Sequence, residues 1–530
     1  MMRSTIRGKY LVMFALAVIL ALGAVATRAQ AAPLSSEAQG KLPFTISQII
    51  VQGNTLISDR SMENITRRFL GERKTARDLE LLQEAVFNTY KTAGYPLVSV
   101  AIFEVQDSLG QYTVVVKEDI LRNIELKGNK ILQEKHIRAI LPALKPGTSI
   151  NVRNLDKQVL AANENPSRAI AVGLQTIDVG VFDAVVNITE GKMFTNTLTL
   201  DNTGNRYQEP LRYKYQFVHN ALGPAQDATG AVVYIRSPNK ITEQGLLYYN
   251  QPIHSNGGSI AVMAVKANSD SGVSQTGYGD FNVNGSGQFY SLHYTQPLYR
   301  TAWTKLAFDL GLEYHATVDN TSIFGIDVGP DVNARPLNLG LHYTRQGKRD
   351  NFSASINHVR NLAGGYLNDD DTYYIIRPNA VASYQLWRGN ISYLYRFKNG
   401  WLFNSRCEWQ YATQPLIPDQ QFGLGGAQSV RGFETRELLG DKGIGASFEI
   451  YTPPVSKGLR FLAFFDIGRA WVFDLYGDLS EPSTISSTGV GIRWRINPVF
   501  SFSADYAYVI KGYLTPDHDT RLHFELSATF

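Results

Sequence analysis

Two charged residues in the C-terminal third of the sequence have the types and surroundings of an ion-pair site. Arg431 stands in a glycine-rich segment, GGAQSVRGFETRELLGDKG (residues 425–443), and Asp466 stands in an aromatic-rich one, FLAFFDIGRAWVF (residues 461–473). A guanidinium is always charged and can donate two parallel hydrogen bonds to one carboxylate. Gly432 permits a backbone turn that a side chain would obstruct. These residues predict that the glycine-rich segment is a loop, which attaches reversibly to the aromatic-rich segment through an Arg431–Asp466 ion pair.

The rest of the sequence gives no indication of an enzyme. It contains no GxSxG, HExxH or GxxxxGK[ST] motif, and its single cysteine, Cys407, excludes an intrachain disulfide framework and a CxxC metal site. The net charge of +4 comes with no block of five or more like charges, so nucleic acid is not an expected partner. We therefore expect no catalytic residues, no cofactor and no metal.

The segments around Arg431 alternate between apolar and polar residues, as strands with one apolar face do. Clear examples are LAFDLGLEYH (residues 306–315), LNLGLHYT (337–344), WLFNSRCEWQY (401–411) and FSFSADYAY (500–508). Repeated over many strands, this pattern is typical of a transmembrane β-barrel with a polar lumen. A soluble β-sandwich would also alternate, but it would carry fewer aromatic residues on its outer face. At about 10 residues per strand, residues 193–530 suit about 16 antiparallel strands, and 14 or 18 would fit nearly as well.

The alternation also predicts which way Asp466 points. Phe461, Phe465 and Ile467 share an apolar face of their strand, whereas Asp466 and Gly468 have the opposite parity. Asp466 should therefore face the lumen, and Gly468 should leave room beside it for the loop. Arg469 interrupts the apolar face, so we expect it near the membrane interface.

The N-terminal third contains an internal repeat. FTISQIIVQGNTLI (residues 44–57) resembles DILRNIELKGNKIL (residues 119–132), and each copy places Gly-Asn after an alternating strand. In the first copy, helices are predicted at 58–70 and 75–92, with Thr75 and Asp78 as an N-terminal cap, followed by two strands. In the second copy, helices are predicted at 133–141 and 152–163, and strands at 169–174 and 184–190. The repeat predicts two small α+β domains, residues 44–118 and 119–192.

The first 31 residues have the features of a secretory signal peptide. Three basic residues precede an apolar run, LVMFALAVILALGAVA, and a small-residue cleavage pattern follows at residues 29–31. A membrane anchor is the alternative, but the apolar run is short for a span of roughly 20 residues. The mature chain should therefore leave the cytoplasm, with residues 32–43 as a short linker.

Three sequence features resemble one transporter family. The strand-helix-helix-strand-strand order with Gly-Asn resembles polypeptide-transport-associated (POTRA) domains. The loop segment resembles the loop motif of two-partner secretion transporters, the hemolysin secretion/activation (ShlB/FhaC/HecB) family, and residues 464–468 resemble the F-x-D-x-G strand motif of that superfamily. The matching residues are Gly425, Gly426, Ser429, Val430, Arg431, Gly432, Phe433, Gly440, Asp441 and Gly443 in the loop, and Phe464, Asp466 and Gly468 in the strand.

The resemblance implies a fold and a function. The fold is a pair of periplasmic α+β POTRA domains followed by a transmembrane barrel of sixteen strands, whose sixth extracellular loop folds back into the lumen. The function is export of an unfolded partner protein, hemolysin-like or adhesin-like, across the outer membrane. Other expected partners are the lipid bilayer and, during biogenesis, the barrel-assembly machinery. The terminal Phe530, at the end of an alternating strand, resembles the signal by which that machinery recognises its clients.

Two further expectations concern pore closure. In a partly wet lumen, the Arg431–Asp466 pair should contribute about 1–2 kcal/mol and so be reversible. Family members often carry an N-terminal plug helix, for which residues 32–43 are too few, so the Arg431 loop should close the pore alone. The alternatives are an outer-membrane insertase of the same superfamily, and a passive porin or surface adhesin, which would leave the duplicated N-terminal module unexplained.

Overall fold

The computed structural model describes residues 43–530 except 107–109, 205–208, 240–241, 255, 269–271, 276–279, 284–285, 319–321, 324–325 and 328–330. The chain divides into two compact units, with the boundary between Lys192 and Met193. The predicted signal peptide (1–31) and the predicted linker (32–43), except for its last residue, lie outside the described residues. So does the segment on which the predicted absence of a plug helix depends. Among the described residues, no helix is both long and apolar enough to cross a membrane.

The first unit begins with an α+β module, the first module. Its elements are β1 (Phe44–Ile46), β2 (Gln48–Gln52), α1 (Asp59–Thr66), a 3₁₀ turn (Arg67–Phe69), β3 (Gly71–Lys74), α2 (Ala76–Ala93), β4 (Val98–Glu104) and β5 (Gln111–Glu118). The main sheet has the order β2-β5-β4, with β2 parallel to β5. Helix α2 buries its apolar face, and Thr75 and Asp78 form the predicted capping box.

The second module repeats the order of β2, α1, α2, β4 and β5, without counterparts of β1 and β3 among its described residues. Its elements are β6 (Ile120–Lys127), α3 (Glu134–Ile140), α4 (Val152–Ala162), β7 (Arg168–Asp178) and β8 (Val181–Glu190). The sheet order is β6-β8-β7, with β6 parallel to β8. Both predicted helices are confirmed to within one residue at each end. The two final strands are longer than predicted, because their hairpin pairing continues to the turn at residues 179–180.

The repeated Gly-Asn has a steric cause. Gly53 and Gly128 adopt φ values of +80° and +81°. A Cβ on Gly53 would lie 2.1 Å from the carbonyl oxygen of Val116, and one on Gly128 would lie 2.4 Å from that of Ile188. The first module therefore needs glycine where β2 turns away from β5, and the second needs it where β6 turns away from β8.

A carboxylate holds the following turn in each module. Glu118 accepts hydrogen bonds from the backbone N–H groups of residues 55–56, at 2.8 and 3.0 Å, and from the Tyr90 hydroxyl at 2.8 Å. Glu190 accepts hydrogen bonds from the N–H groups of residues 130–132 at 2.8–3.1 Å. In each module, a glutamate at the end of the last strand thus holds the turn that follows Gly-Asn.

The second unit is a closed antiparallel barrel. Its elements are β9 (Phe194–Asp201), β10 (Arg212–Leu222), β11 (Ala228–Arg236), β12 (Glu243–Ile253), β13 (Gly258–Asn268), β14 (Gly272–Gln275), β15 (Asp280–Val283), β16 (Ser286–Arg300), β17 (Thr304–Val318), β18 (Ser322–Ile323), β19 (Ile326–Asp327), β20 (Val332–Ala334), β21 (Pro336–Gln346), β22 (Asp350–Asn361), α5 (Asp370–Ile376), β23 (Gln385–Arg396), β24 (Leu402–Ala412), a 3₁₀ turn (Pro418–Gln420), β25 (Phe422–Leu424), β26 (Leu438–Gly440), β27 (Lys442–Tyr451), β28 (Leu459–Trp471), β29 (Ser483–Arg495), β30 (Phe500–Lys511) and β31 (Thr520–Thr529).

The barrel has sixteen strand positions, as expected. Strands β20 and β21 share one position, because both pair with β17. The short pairs β14–β15, β18–β19 and β25–β26 lie outside the ring. Strand β31 pairs with β9 and closes the ring.

The apolar face of the barrel points outward. On β17, Leu310 and Leu312 are 38% and 48% exposed, whereas Asp309 is 7% exposed. On β28, Phe465 and Ile467 are exposed and Asp466 is buried. Among the residues that the structure describes, no second sheet covers the outer face of these strands, so the β-sandwich alternative is wrong. The exposed apolar band is the surface that lipid would cover.

The connections at the two ends of the barrel differ in length. At the end where β9 begins, they are short, for example residues 301–303, 347–349 and 496–499. The opposite end carries the long connections 362–384 and 413–441. We call these the helical loop (residues 362–384, which contain α5) and the Arg431 loop (residues 413–441).

Candidate functional site

The Arg431 loop is folded back into the barrel. It connects β24 to β27, and of its 29 residues only Thr413, Pro418, Gln428 and Thr435 are exposed. Its apolar side chains pack against inward-facing residues of the wall. The cluster consists of Leu424, Val430, Phe433, Leu438, Ala470, Ile485 and Val509. The loop therefore occupies space that a barrel of sixteen strands would otherwise leave as an aqueous channel.

The Arg431 guanidinium is fully hydrogen-bonded. Nε and Nη2 donate to the two carboxylate oxygens of Asp466 at 2.7 and 2.8 Å. Nη1 donates to Glu449 at 2.8 Å and to Asp505 at 3.4 Å, and Nη2 also donates to the Ser447 hydroxyl at 3.2 Å. All five N–H groups of the guanidinium thus have acceptors, on strands β27, β28 and β30.

The three residues of the F-x-D-x-G motif each contact the loop. Besides the guanidinium, Asp466 accepts a bond from the backbone N–H of Arg431 at 3.1 Å. The Phe464 ring lies under the guanidinium, with 3.6 Å between the guanidinium carbon and the ring centroid. A Cβ on Gly468 would lie 2.8 Å from a methyl carbon of Leu424. The motif therefore provides a stacking surface, a charge partner and a space for the loop.

The other carboxylates of the site have partners of their own. Asp505 accepts two hydrogen bonds from Arg493, at 2.7 and 2.9 Å. Glu449 accepts one from Asn404 and one from Tyr451, both at 2.8 Å. Arg431 therefore joins a network of buried and partly buried charges and does not form a single pair.

The expectation of a partly wet, weak pair is wrong. Arg431 is 1% exposed and Asp466 is 0% exposed. The tip of the loop and its apolar neighbours fill the lumen beside Arg431 and Asp466, and they shield this ion pair from water. Breaking a buried pair by removing one partner leaves an uncompensated charge, and this costs about 3–5 kcal/mol.

The residues beside Arg431 attach the loop to the last strand. The backbone N–H of Gly432 donates to His523 at 3.2 Å, and Arg521 donates to the carbonyl oxygen of Phe433 at 2.9 Å. Gly432 has φ +98°, and a Cβ there would lie 3.2 Å from Val509. The glycine thus makes the turn that the sequence predicts, close against the wall.

The last part of the loop motif belongs to a different site. Gly440 ends β26, and Asp441 binds Arg377 of the helical loop at 2.5 and 2.7 Å. Asp441 is fully buried, as is Asp466. The motif thus supplies two separate ion pairs, one to the barrel wall and one to another loop.

Two predicted residues lie away from these sites. Phe530, the last residue, exchanges backbone hydrogen bonds with Asn196 at 2.9 Å each, so it continues the closure of β31 on β9. Arg469 is exposed, with its guanidinium 5.2 Å from the ring centroid of Trp471. Arg469 thus lies on the outer face of β28, and its location near the membrane interface stays a prediction.

Sequence reasoning missed several functional partners. The inward direction of Asp505 follows from alternation, and that of Ser447 and Glu449 could have been found in the same way. Their meeting at Arg431, however, depends on the path of the loop. Arg377 has no local signal, because it follows a short helix in a long connection. In the part of the chain that the structure describes, no group of three or more His, Cys, Asp or Glu side chains could hold a metal ion.

Family comparison agrees with this architecture. The sequence profile of the haemolysin secretion/activation protein ShlB/FhaC/HecB family matches residues 182–494. The profile of the ShlB-type POTRA domain matches residues 44–117. The first profile thus covers the end of the second module and the barrel as far as β29, and the second profile covers the first module.

Individual relatives are distant but nearly full-length. The outer membrane transporter CdiB of Dickeya dadantii (strain 3937) is 23% identical over 496 residues, covering 86% of this chain and 81% of the relative. The heme/hemopexin transporter protein HuxB of Haemophilus influenzae (strain 86-028NP) is 22% identical over 497 residues, covering 88% and 82%. The solved structure of CdiB from Escherichia coli shares the fold, with a TM-score of 0.70, 16% identity and coverage of 95% and 94%. The chain belongs to the haemolysin secretion/activation (ShlB/FhaC/HecB) family and is an outer-membrane two-partner secretion transporter with a periplasmic POTRA domain.

Proposed function

We propose that this transporter exports one large, unfolded partner protein through the barrel lumen, and that the Arg431 loop closes the lumen at rest. The observation that carries the proposal is the burial of the loop, together with the complete hydrogen bonding of Arg431 to three wall strands. A chain passing through the lumen must displace this loop, because the loop fills the space that the passing chain needs. Export would then begin with release of the Arg431 network.

The energy for passage comes from the partner itself. The chain has no phosphate-binding loop motif, and the periplasm offers no nucleotide energy source. An extended polypeptide that folds outside the cell cannot return through the lumen, so folding makes the transfer directional. A partner protein that is kept unfolded in the periplasm is the substrate class that suits this scheme.

The N-terminal unit captures the partner before it enters the barrel. We assign residues 44–118 and 119–192 as two POTRA domains, 1–31 as a signal peptide, 32–43 as a linker and 193–530 as the barrel domain. Strands β2 and β4 are the edges of the first main sheet, and β6 and β7 are those of the second. An extended client can add to such an edge through main-chain hydrogen bonds, which need no particular client sequence.

The test uses the natural partner, identified as the product of a large reading frame beside this gene. A strain that lacks the transporter gene should lose secretion of that protein, and the wild-type gene should restore it. The Arg431→Ala variant should insert normally but secrete less, whereas Arg469→Ala, which removes an exposed arginine from the outer face of β28, should secrete normally.

Two results would overturn the proposal. If the deletion strain still secreted its surface proteins but had defects in other barrels, the insertase alternative would be correct. If Arg431→Ala and Arg469→Ala secreted equally well, the Arg431 loop would have no part in export.

A further inference from the structure

The helical loop is packed against the Arg431 loop. Helix α5 buries Tyr373, and the residues before β23 bury Tyr384; both are 0% exposed, with ring centroids 6.2 Å apart. The same apolar cluster contains Leu416 and Ile417, which lie near the N-terminal end of the Arg431 loop and are each 1% exposed. The two long connections thus share one core at the end of the barrel opposite the start of β9.

An ion pair between the partly buried Arg377 and the fully buried Asp441 fastens the two loops together. Arg377, at the end of α5, donates to both carboxylate oxygens of Asp441, at 2.5 and 2.7 Å. The same guanidinium donates to the carbonyl oxygens of Leu416 at 2.6 Å and Phe473 at 3.0 Å. Such a forked contact constrains direction as well as distance, which a lysine could not do.

Asp441 also accepts hydrogen bonds from the backbone of its own loop and of a neighbouring connection. Its carboxylate accepts the backbone N–H of Leu416 at 2.9 Å and that of Phe473 at 2.8 Å. Phe473 lies in the connection between β28 and β29 (residues 472–482). Asn379 of the helical loop donates to the carbonyl oxygen of Leu475 in that connection at 2.7 Å. The Arg377–Asp441 pair is therefore the point where three connections of this end are tied together.

We infer that the helical loop is a second part of the gate, clamped onto the Arg431 loop by the Arg377–Asp441 pair; this rests on the proposed function of the Arg431 loop. Arg431 holds the tip of the loop to the wall. Arg377 holds Asp441, the last residue of the loop, just before β27 begins at Lys442. A partner chain that pushes the Arg431 loop outward must break this clamp or move the helical loop with it. Arg377 is thus a positioning residue for export.

The experiment measures ion flow through the full-length protein in planar lipid bilayers in KCl. The variants are Arg377→Ala, Asp441→Asn and Arg377→Lys, with Arg431→Ala as the positive control. The matched control is Arg349→Ala, which removes an exposed arginine from a short turn at the opposite end of the barrel. Correct folding is checked by the heat-dependent electrophoretic mobility of the barrel.

Loss of the clamp should raise the conducting fraction of time at least about tenfold in Arg377→Ala and Asp441→Asn. Arg377→Lys keeps the charge but not the fork, so its conducting fraction should lie between those of Arg377→Ala and the wild type. The double variant Arg377→Ala/Asp441→Asn should conduct no more than the stronger single one, because both remove the same contact. Arg349→Ala should behave as the wild type does.

The outcomes separate this inference from the proposed function. If Arg431→Ala opens the channel and Arg377→Ala behaves as Arg349→Ala does, the clamp is wrong and the Arg431 gate stands. If neither opens the channel, the proposed gate itself fails. If Arg377→Ala does not fold, the conducting fractions of Asp441→Asn and Arg377→Lys are compared with that of Arg349→Ala instead. Equal fractions would show that the clamp is wrong.

Discussion

Carboxylates organise both units of this protein, but they do so with different donors. In the barrel, Asp466 is completely buried and binds a charged guanidinium that lies 35 residues away in sequence. In the N-terminal modules, the half-buried Glu118 and Glu190 bind neutral donors, which are backbone N–H groups and, for Glu118, also two hydroxyl groups. Removal of a neutral donor loses a hydrogen bond, whereas removal of a charged one leaves a buried charge behind. The barrel site is therefore strongly held until its network is broken as a whole, and the module sites fix local turns.

The largest effect is expected for Arg431→Ala, which tests the barrel side of this comparison. The variant leaves Asp466 and Glu449 buried without the cation that neutralises them. At about 3–5 kcal/mol, the loss should make amide hydrogen exchange in residues 425–440 at least about a hundredfold faster. The control is Arg469→Ala on the outer face of β28. Unchanged exchange in Arg431→Ala would show that the charge network does not hold the loop.

A smaller effect is expected for Asp466→Ala, because Arg431 keeps Glu449 and Asp505 as acceptors. The double variant Arg431→Ala/Asp466→Ala should secrete the partner no worse than Arg431→Ala alone, as expected for residues that act through one contact. Secretion and hydrogen exchange should give the same ranking. Fully additive losses would contradict the pairing.

The module side is tested by Glu190→Ala. Three backbone N–H groups lose their acceptor, so the second module should lose about 1–3 kcal/mol. Hydrogen exchange should accelerate in residues 128–133 and leave residues 425–440 unchanged. Glu125→Ala, which breaks an exposed pair with Lys127, is the control. Equal effects of the two substitutions would show that the Glu190 contacts add no stability.

The smallest effect concerns pH in the first module. Burial acts to raise the pKa of Glu118, but hydrogen bonds from Thr55, Tyr90 and Leu56 outweigh it and hold the pKa below its ordinary value of 4.5. Its stabilising contribution is therefore complete above about pH 4.5 and is lost as the pH falls through the lowered pKa.

Hydrogen exchange of residues 54–57, corrected for the intrinsic effect of pH, should accelerate as the pH falls below about 4.5 and not above it. Glu118→Gln should remove this acid response while leaving the rest of the pH profile intact. If Glu118→Gln showed the same acceleration of exchange at low pH as the wild type, a group other than Glu118 would be responsible for it.

Much of the fold can be read from local sequence pattern. Alternation has a period of two in any pleated strand, so it predicts the outward leucines of β17 and the inward Asp466 without knowledge of neighbouring strands. A glycine with positive φ beside a crossing backbone has few substitutes, so the repeat at Gly53 and Gly128 predicts two copies of one module. Strand length alone predicts the strand count only as a range, because loop lengths vary more than strand lengths, whereas the family resemblance implies sixteen.

By itself, the sequence determined which side chains of the alternating strands point into the barrel and which point outward. It also determined the duplicated module and the motif residues that meet at the Arg431 loop. Only the tertiary structure decided that Glu449 and Asp505 complete that site, that the site is dry, and that Asp441 binds Arg377. The physical reason is that the direction of a side chain depends on its own strand. Which side chains meet, and whether water reaches them, depends on the path of a long loop across several strands.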